Sequence, residues 1–297
     1  MKVPSTKVAN DRPSLSRLIL GGWRWNDKNF TKKDQDQLIN TSLDLGITTF
    51  DHADIYGNYN CQYLFGKYLK EHKNLREKIE IVTKCGIKPV SRKFPERIIP
   101  HYDTSKAHIV DSANESLTAL ETDYIDVLLI HRPAPLMDAD EIAEAFTELK
   151  NQGKVKYFGV SNFSNQQFDL IQSRLDFPLV TNQIEINMDC YDSMFDGTLD
   201  HMQQHRVIPM AWSPLGGGKI FSNRSLVAKL KTFAKKYDVS LTGLILSWLM
   251  MHPAKIHPIL GTTNSERVLE SAPSVNVKME RQDWYLILKI IRGFDVP

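Results

Sequence analysis

Four polar side chains of this sequence have the chemistry to deliver a proton to a carbonyl group: Asp51, Tyr56, Lys84 and His131. A free phenol has a pKa of about 10, but a neighbouring ammonium favours the phenolate and lowers that pKa. A carboxylate keeps the ammonium charged, and a histidine can orient a carbonyl oxygen. The set therefore predicts a phenolic general acid, and such an acid pairs with hydride delivery from a nicotinamide cofactor.

Each of these residues, taken alone, also has an ordinary structural interpretation. An aspartate after a strand usually caps a helix, a lysine there usually reaches solvent, and a histidine is usually hydrogen-bonded in a loop. The pattern across the chain is more informative than any single residue. Six successive apolar runs end in groups whose burial would cost free energy, which indicates a functional role. These groups are Asp51, Lys84, His131, Ser161 with Asn162, Gln183 with Glu185, and Trp212 with Ser213.

The apolar runs themselves are predicted parallel strands, because they are short, rich in β-branched residues and apolar on both faces. Amphipathic helices separate them, and Ser164 with Gln167 forms a capping box at one predicted helix start. About eight strands alternating with helices predict an α/β fold, a closed (β/α)8 TIM barrel whose strand-end residues meet at one mouth. The predicted strands are 17–20, 47–50, 79–82, 125–130, 155–160, 179–184, 207–210 and 256–260.

A doubly wound open sheet is the structural alternative. It requires a GxGxxG turn after an early strand, and the sequence contains none, since Gly216-Gly217-Gly218 comes late and lacks the spacing. No linker or break in composition divides the chain, so a single domain over residues 1–297 is predicted.

Charge and composition exclude several classes of protein. Lys and Arg number 37 against 35 Asp and Glu, a balance that does not indicate nucleic-acid binding. The three cysteines form no CxxC pair, and no apolar run approaches the roughly 20 residues of a membrane span. A cytoplasmic protein without a membrane or nucleic-acid partner is therefore expected. The chemistry of the four side chains adds a small-molecule carbonyl substrate as the partner, and a monomer or weak oligomer is expected.

Several motifs, in order along the chain, resemble those of the aldo-keto reductases. The resemblance extends from about residue 16 to about residue 271 and implies a TIM barrel that binds NADP(H) in extended form. It also implies NADP(H)-dependent reduction of aldehydes or ketones to alcohols, with Tyr56 as proton donor, Lys84 and Asp51 as its tuners and His131 orienting the substrate. The matching segments are 50–57, 82–84, 122–133, 153–155, 158–163, 182–185 and 212–216.

The same resemblance implies the residues that contact the cofactor and the substrate. The implied nicotinamide contacts are Asp51, Ser161, Asn162, Gln183 and Trp212, with Ser213 and Pro214 following. Gly22, Trp23 and Arg24 would lie beside the cofactor, Leu215, Gly217 and Lys219 along its pyrophosphate, and Gly261, Thr262, Thr263 and Arg267 at its adenosine end. The implied substrate pocket comprises Trp23, Trp25, Tyr56 and His131.

Three residues depart from the family's common pattern. His52 stands where threonine is common, and alternation along the strand turns its side chain away from Asp51. Trp212 replaces a tyrosine, and either ring can stack on the nicotinamide. Gly261 stands where a basic residue is common, although Arg267 can bind the 2′-phosphate, so NADP(H) is expected and NAD(H) is not excluded.

Two other functions are compatible with a TIM barrel. The same barrel can serve as a cofactor-binding regulatory protein with little turnover. A metallohydrolase using His52, Asp54 and His131 would need further ligands at metal spacing, and none is found in the sequence, so no metal site is predicted.

Overall fold

The protein is described here by a computed structural model covering residues 2–296. Its strands are β1 (Ser5–Thr6), β2 (Leu15–Ser16), β3 (Ile19–Gly21), β4 (Thr49–Asp51), β5 (Glu80–Cys85), β6 (Ile87–Lys88), β7 (His101–Tyr102), β8 (Ile125–Ile130), β9 (Val155–Ser161), β10 (Leu179–Glu185), β11 (Ile208–Trp212) and β12 (His257–Leu260).

The α-helices alternate with the larger strands along the chain. They are α1 (Lys32–Asp44), α2 (Tyr56–Tyr59), α3 (Cys61–Glu71), α4 (Lys106–Ala119), α5 (Ala139–Asn151), α6 (Asn165–Gln172), α7 (Thr198–Gln204), α8 (Arg224–Lys236), α9 (Leu241–Met250), α10 (Ser265–Ser271) and α11 (Arg281–Arg292). Short 3₁₀ turns cover Lys73–Lys78, Asp192–Met194, Gly216–Ser222 and Ala272–Asn276.

Eight parallel strands close into a barrel, which confirms the predicted (β/α)8 fold. The strands follow the cycle β3-β4-β5-β8-β9-β10-β11-β12, and β12 pairs with β3 to complete it. Each predicted strand overlaps an observed one, and β8 has the predicted bounds.

Local capping fixes where two of the helices begin, one of them at the predicted Ser164. The Ser105 side chain accepts a hydrogen bond from the backbone N–H of His108 at the start of α4. Ser164 and Gln167 form the predicted capping box at α6. These side chains satisfy backbone N–H groups that the first helical turn leaves free.

Apolar side chains fill the interior of the barrel. One buried cluster consists largely of strand residues, including Ile19, Val82, Val127, Val180 and Ile208. Two further clusters join the outer faces of the strands to the helices. Because the interior is filled, polar groups that need solvent or a ligand can gather only at the ends of the strands.

The segment between β5 and α4 contains a regular element that its sequence did not predict. Residues 86–106 read as an irregular loop because of three prolines, but β6 and β7 form a short antiparallel pair within it.

No helix among residues 2–296 is long and apolar enough to cross a membrane.

Candidate active site

A single buried ammonium joins three of the four predicted catalytic residues. The Nζ of Lys84 donates to Oδ1 and Oδ2 of Asp51 at 2.9 and 2.8 Å and to the Tyr56 hydroxyl at 3.1 Å. It also donates to the backbone oxygen of His52 at 2.7 Å. Asp51 ends β4 and Lys84 lies near the end of the adjacent β5, so strand pairing places the carboxylate beside the ammonium.

The charged state of Lys84 is preserved in this environment. Burial acts to lower the pKa of Lys84, but the negative charge of Asp51 and the oxygen of Tyr56 raise it, and the net pKa lies above the ordinary value. The side chain has no exposed surface. The site therefore holds a fixed positive charge next to the phenol at neutral pH.

Tyr56 differs from the sequence-based expectation in one respect. Burial raises the pKa of its hydroxyl, and the Lys84 charge lowers it by less, so the net pKa lies above the ordinary value. The sequence argument included the ammonium but not the loss of solvent around the phenol. Tyr56 is consequently a protonated hydroxyl at neutral pH, which is the form that can donate a proton.

An unusual backbone turn follows Tyr56. Gly57, Asn58 and Tyr59 all have positive φ, at 58°, 56° and 68°. Only glycine fits the first of these positions, because a Cβ there would lie 2.6 Å from the Sγ of Cys61. Positive φ costs free energy at non-glycine residues such as Asn58 and Tyr59, and such residues concentrate at functional sites.

His131, the fourth predicted catalytic residue, lies beside Tyr56. Their ring centroids are 6.0 Å apart in an edge-to-face arrangement. Burial, reinforced by the charges of Lys84 and Arg132, lowers the pKa of His131 well below its usual value. Its buried Nδ1 has no hydrogen-bond partner among the described residues. A neutral imidazole is therefore available to bind a polar ligand atom.

The residues implied to bind the nicotinamide carboxamide form one hydrogen-bonded group. The Asn162 side chain donates to the hydroxyl of Ser161 at 2.8 Å and accepts from the indole N–H of Trp212 at 2.9 Å. Ser161 donates to the backbone oxygen of Gln183. The φ of Asn162 is 61°, a left-handed conformation that asparagine tolerates better than most residues.

Gln183 makes a contact that sequence reasoning missed. Its Nε2 donates to Oδ1 of Asp51 at 2.8 Å, and both side chains are buried. The carboxylate of Asp51 therefore accepts from Lys84 and from Gln183. No local pattern could have revealed this contact, because the two residues are 132 positions apart in the chain.

The loop that follows β3 reaches the same mouth. The N–H of Gly22 donates to the backbone oxygen of Asp51 at 2.8 Å, and the Trp23 side chain is 58% exposed. The guanidinium of Arg24 lies over the Trp23 ring at 4.9 Å and donates to the backbone oxygen of Gly261. Arg24 thus connects the exit of β3 to the exit of β12.

Trp25 was wrongly predicted as a wall of the substrate pocket. It is 1% exposed and packs against Phe65 and His52, with ring centroids 5.4 and 5.2 Å away. The two nearby tryptophans therefore lie in different environments, Trp23 at the mouth of the barrel and Trp25 in the core.

The glycine-rich turn after β11 leaves its backbone accessible. Gly217 and Gly218 have positive φ, and no atom would lie within 4 Å of a Cβ built at either position. Lys219 is exposed next to them, Leu215 packs against the core, and the backbone oxygen of Ser213 accepts from Asn187. The open space beside the glycines and the exposed Lys219 ammonium suit the implied pyrophosphate, whereas the N–H groups of Gly216 and Gly218 already donate to backbone oxygens of the same turn.

The residues after β12 face a different environment. A surface depression of about 460 Å³ lies beside Thr263, and Asp27, Asp34 and Glu266 contribute to its walls. Arg267 is exposed in α10, outside these walls. The acidic walls disfavour a phosphate, so a 2′-phosphate fits Arg267 or Arg24 better than this depression.

His52 lies behind the site, turned away from it as alternation predicts. Burial, together with the Lys84 charge, lowers its pKa to about 3. Neither ring nitrogen has a partner among the described residues, and the ring fills the space where Gly22 lacks a Cβ. The folded protein therefore keeps this imidazole neutral and without hydrogen bonds.

We expect His52→Leu to make the stability less sensitive to acid. The unfolded chain takes up a proton on His52 below about pH 6.5 and the folded chain does not, so stability falls with pH by about 1.4 kcal/mol per unit. Urea unfolding measures how much unfolding free energy is lost between pH 7 and pH 5. This loss should be about 2 kcal/mol smaller in the variant than in wild type. His101→Leu, at an exposed site, is the control, and equal acid sensitivity of His52→Leu and wild type would contradict the prediction.

Comparison with known proteins gives the same classification as the fold and the site, that of a barrel oxidoreductase. A sequence model of the Aldo/keto reductase family matches residues 17–292, and the chain belongs to this family. It is 47% identical to Oxidoreductase YdhF of Escherichia coli, over 98% of each chain. It is 44% identical to the 6-dehydroglucose reductase of Agrobacterium fabrum, over 97% of this chain and 98% of the relative.

A solved structure gives independent support for the fold. The crystal structure of the thermostable aldo-keto reductase Tm1743, in complex with the inhibitor epalrestat, aligns with a TM-score of 0.83. The alignment covers 96% of this chain and 99% of that chain at 25% identity.

Proposed function

We propose that this oxidoreductase is a single-domain barrel that uses NADP(H) to reduce an aldehyde or ketone to an alcohol, with Tyr56 as the proton donor. The observation that carries the proposal is the buried Lys84 ammonium, which contacts both the carboxylate of Asp51 and the hydroxyl of Tyr56. Family membership supports the same chemistry.

The chain's residues have separate tasks in this mechanism. A bound nicotinamide cofactor supplies the hydride. Tyr56 transfers its proton to the oxygen that becomes the alcohol, and the Lys84 ammonium stabilises the phenolate left behind. Asp51 holds that ammonium in place and balances its charge. His131, as a neutral imidazole, donates a hydrogen bond that orients the carbonyl oxygen.

The cofactor would lie across the mouth of the barrel. Ser161, Asn162 and Gln183 would bind the carboxamide, and the Trp212 ring would stack on the nicotinamide. Asn162 holds that ring in orientation through the indole N–H. The exposed guanidinium of Arg267 favours NADP(H) over NAD(H), because a fork of N–H donors suits a phosphate.

The relative from Agrobacterium fabrum suggests the first substrate to test. It is named a 6-dehydroglucose reductase and matches this chain along almost its whole length. We infer that 6-dehydroglucose, a sugar carbonyl, is a substrate here as well.

The test is NADPH oxidation by the purified protein in the presence of 6-dehydroglucose and of an uncharged aromatic aldehyde. We expect turnover with formation of one alcohol per NADPH, and a lower kcat/KM when NADH replaces NADPH. Turnover of the aromatic aldehyde alone would reject the sugar substrate and retain the reductase. Tight NADPH binding without oxidation of either compound would favour the regulatory alternative instead.

A further inference from the structure

A group of potential metal ligands lies on the outside of the barrel, away from the candidate active site. It consists of Asp169 on α6, His201 on α7 and His205, which ends α7. Among the residues that the structure describes, it is the one group of three such side chains whose ligand atoms all lie within 4.8 Å of one another. The metallohydrolase set of His52, Asp54 and His131 forms no such group among those residues.

The spacing of the two histidines explains their convergence. Residues four positions apart lie on the same face of a helix, and the ring centroids of His201 and His205 are 4.5 Å apart. Both Nε2 atoms point toward the same oxygen, Oδ1 of Asp169, at 2.8 Å for His201 and 3.9 Å for His205. Sequence reasoning missed the group because Asp169 belongs to a different helix.

These distances suit a tetrahedral metal ion. Two ligand atoms bound at 2.0 to 2.1 Å with a tetrahedral angle lie about 3.3 Å apart. The two observed nitrogen–oxygen distances lie on either side of that value, so small side-chain rotations would place all three ligand atoms around one ion.

The surroundings hold the ligands in position and leave the ion accessible. The Phe168 ring packs against His201, with centroids 5.3 Å apart. Arg12 donates to the backbone oxygen of His205, and Asn165 donates to the backbone oxygen of Gly197 at the start of α7. The side chain of Asp169 is 53% exposed, so an ion and its remaining water ligands can enter from solvent.

We propose that Asp169, His201 and His205 form a binding site for a divalent transition-metal ion of the zinc type. Two imidazoles and one carboxylate suit Zn²⁺ and its neighbours Co²⁺, Ni²⁺ and Cu²⁺ better than Mg²⁺ or Ca²⁺, which prefer all-oxygen sites. The bound ion would connect α6 to α7. Since His205 precedes β11, the site lies toward the amino ends of the strands, opposite the catalytic mouth.

Zinc titration of the untagged full-length protein, after treatment with a chelator, tests the site. Calorimetry with ZnCl₂ should show one equivalent bound, and Zn²⁺ should raise the Tm because it binds the folded state. We expect His205→Gln and Asp169→Asn each to weaken the affinity by roughly tenfold or more. CoCl₂ should give the visible absorption of a cobalt ion with nitrogen ligands.

His101→Gln is the matched control, because it removes an exposed imidazole elsewhere and should leave the affinity unchanged. Asp169 is half exposed, so Asp169→Asn is expected to fold even if a histidine variant does not. The proposal is overturned if the wild-type protein binds no Zn²⁺ equivalent, or if Asp169→Asn and His205→Gln bind it as tightly as wild type.

Discussion

Tyr56→Phe is expected to lower kcat for carbonyl reduction by roughly 100-fold to 10,000-fold. The phenyl ring keeps the packing against His131, and only the proton donor is lost. Cofactor affinity should stay within a factor of about 2, because the hydroxyl contacts Lys84 rather than any implied cofactor contact. Single-turnover oxidation of NADPH measures the chemical step, and fluorescence titration measures cofactor binding.

Tyr59→Phe is the matched control for this experiment. Tyr59 lies three residues away in the same turn, but its hydroxyl accepts a hydrogen bond from Arg97 and makes no contact with Lys84. We expect near-normal turnover in Tyr59→Phe. Equal rates for wild type and Tyr56→Phe would reject Tyr56 as the proton donor, whatever the cofactor affinity.

Removing one member of the Lys84–Asp51 pair is expected to reduce both stability and activity. Lys84→Met leaves the Asp51 carboxylate buried without its cation, and breaking such a buried pair costs about 3 to 5 kcal/mol of unfolding free energy. Asp51→Asn leaves the ammonium without its carboxylate and should cost a similar amount. Urea unfolding of each variant at pH 7 provides the measurement.

The double variant measures the interaction between Lys84 and Asp51 separately from the contributions that each side chain makes on its own. With Lys84→Met and Asp51→Asn combined, no uncompensated charge stays buried, so the loss should be smaller than the sum of the single losses by at least about 2 kcal/mol. The exposed pair of Lys70 and Glu121 is the comparison, and little coupling is expected there because solvent screens it. Additive losses for Lys84 and Asp51 would contradict the argument, and the double variant should remain inactive in either case.

The sequence predicts the barrel, and the proximity of Asp51 and Lys84 within it, for identifiable reasons. Buried parallel strands are nearly continuous apolar runs, so their ends are visible as the first polar residue that follows. In this fold those ends share one mouth, and the contact between Asp51 and Lys84 follows from the pairing of β4 with β5. Tyr56 is close in sequence to the end of β4, at the start of α2. The Ser164 capping box is similarly local, and it is confirmed at α6.

The features that the sequence did not predict depend on the assembled fold. Trp25 and Trp23 are two positions apart and equally aromatic, and only packing against Phe65 distinguishes core from mouth. The raised pKa of Tyr56 depends on how much solvent the barrel removes from its hydroxyl. Predicting the contact between Gln183 and Asp51 requires knowing which strands lie opposite each other in the barrel.

The contact between Gln183 and Asp51 links the proposed catalytic group to the cooperativity of unfolding. In the cycle of eight strands, β4 and β10 stand four places apart in either direction, so the hydrogen bond from Gln183 to Asp51 spans the barrel's diameter. Each half of the ring supplies one end of the bond, and neither half alone can retain it. Any partial opening that separates the halves removes one hydrogen-bond donor from the Asp51 carboxylate, so the full set of contacts of the proposed catalytic group exists only in the intact ring.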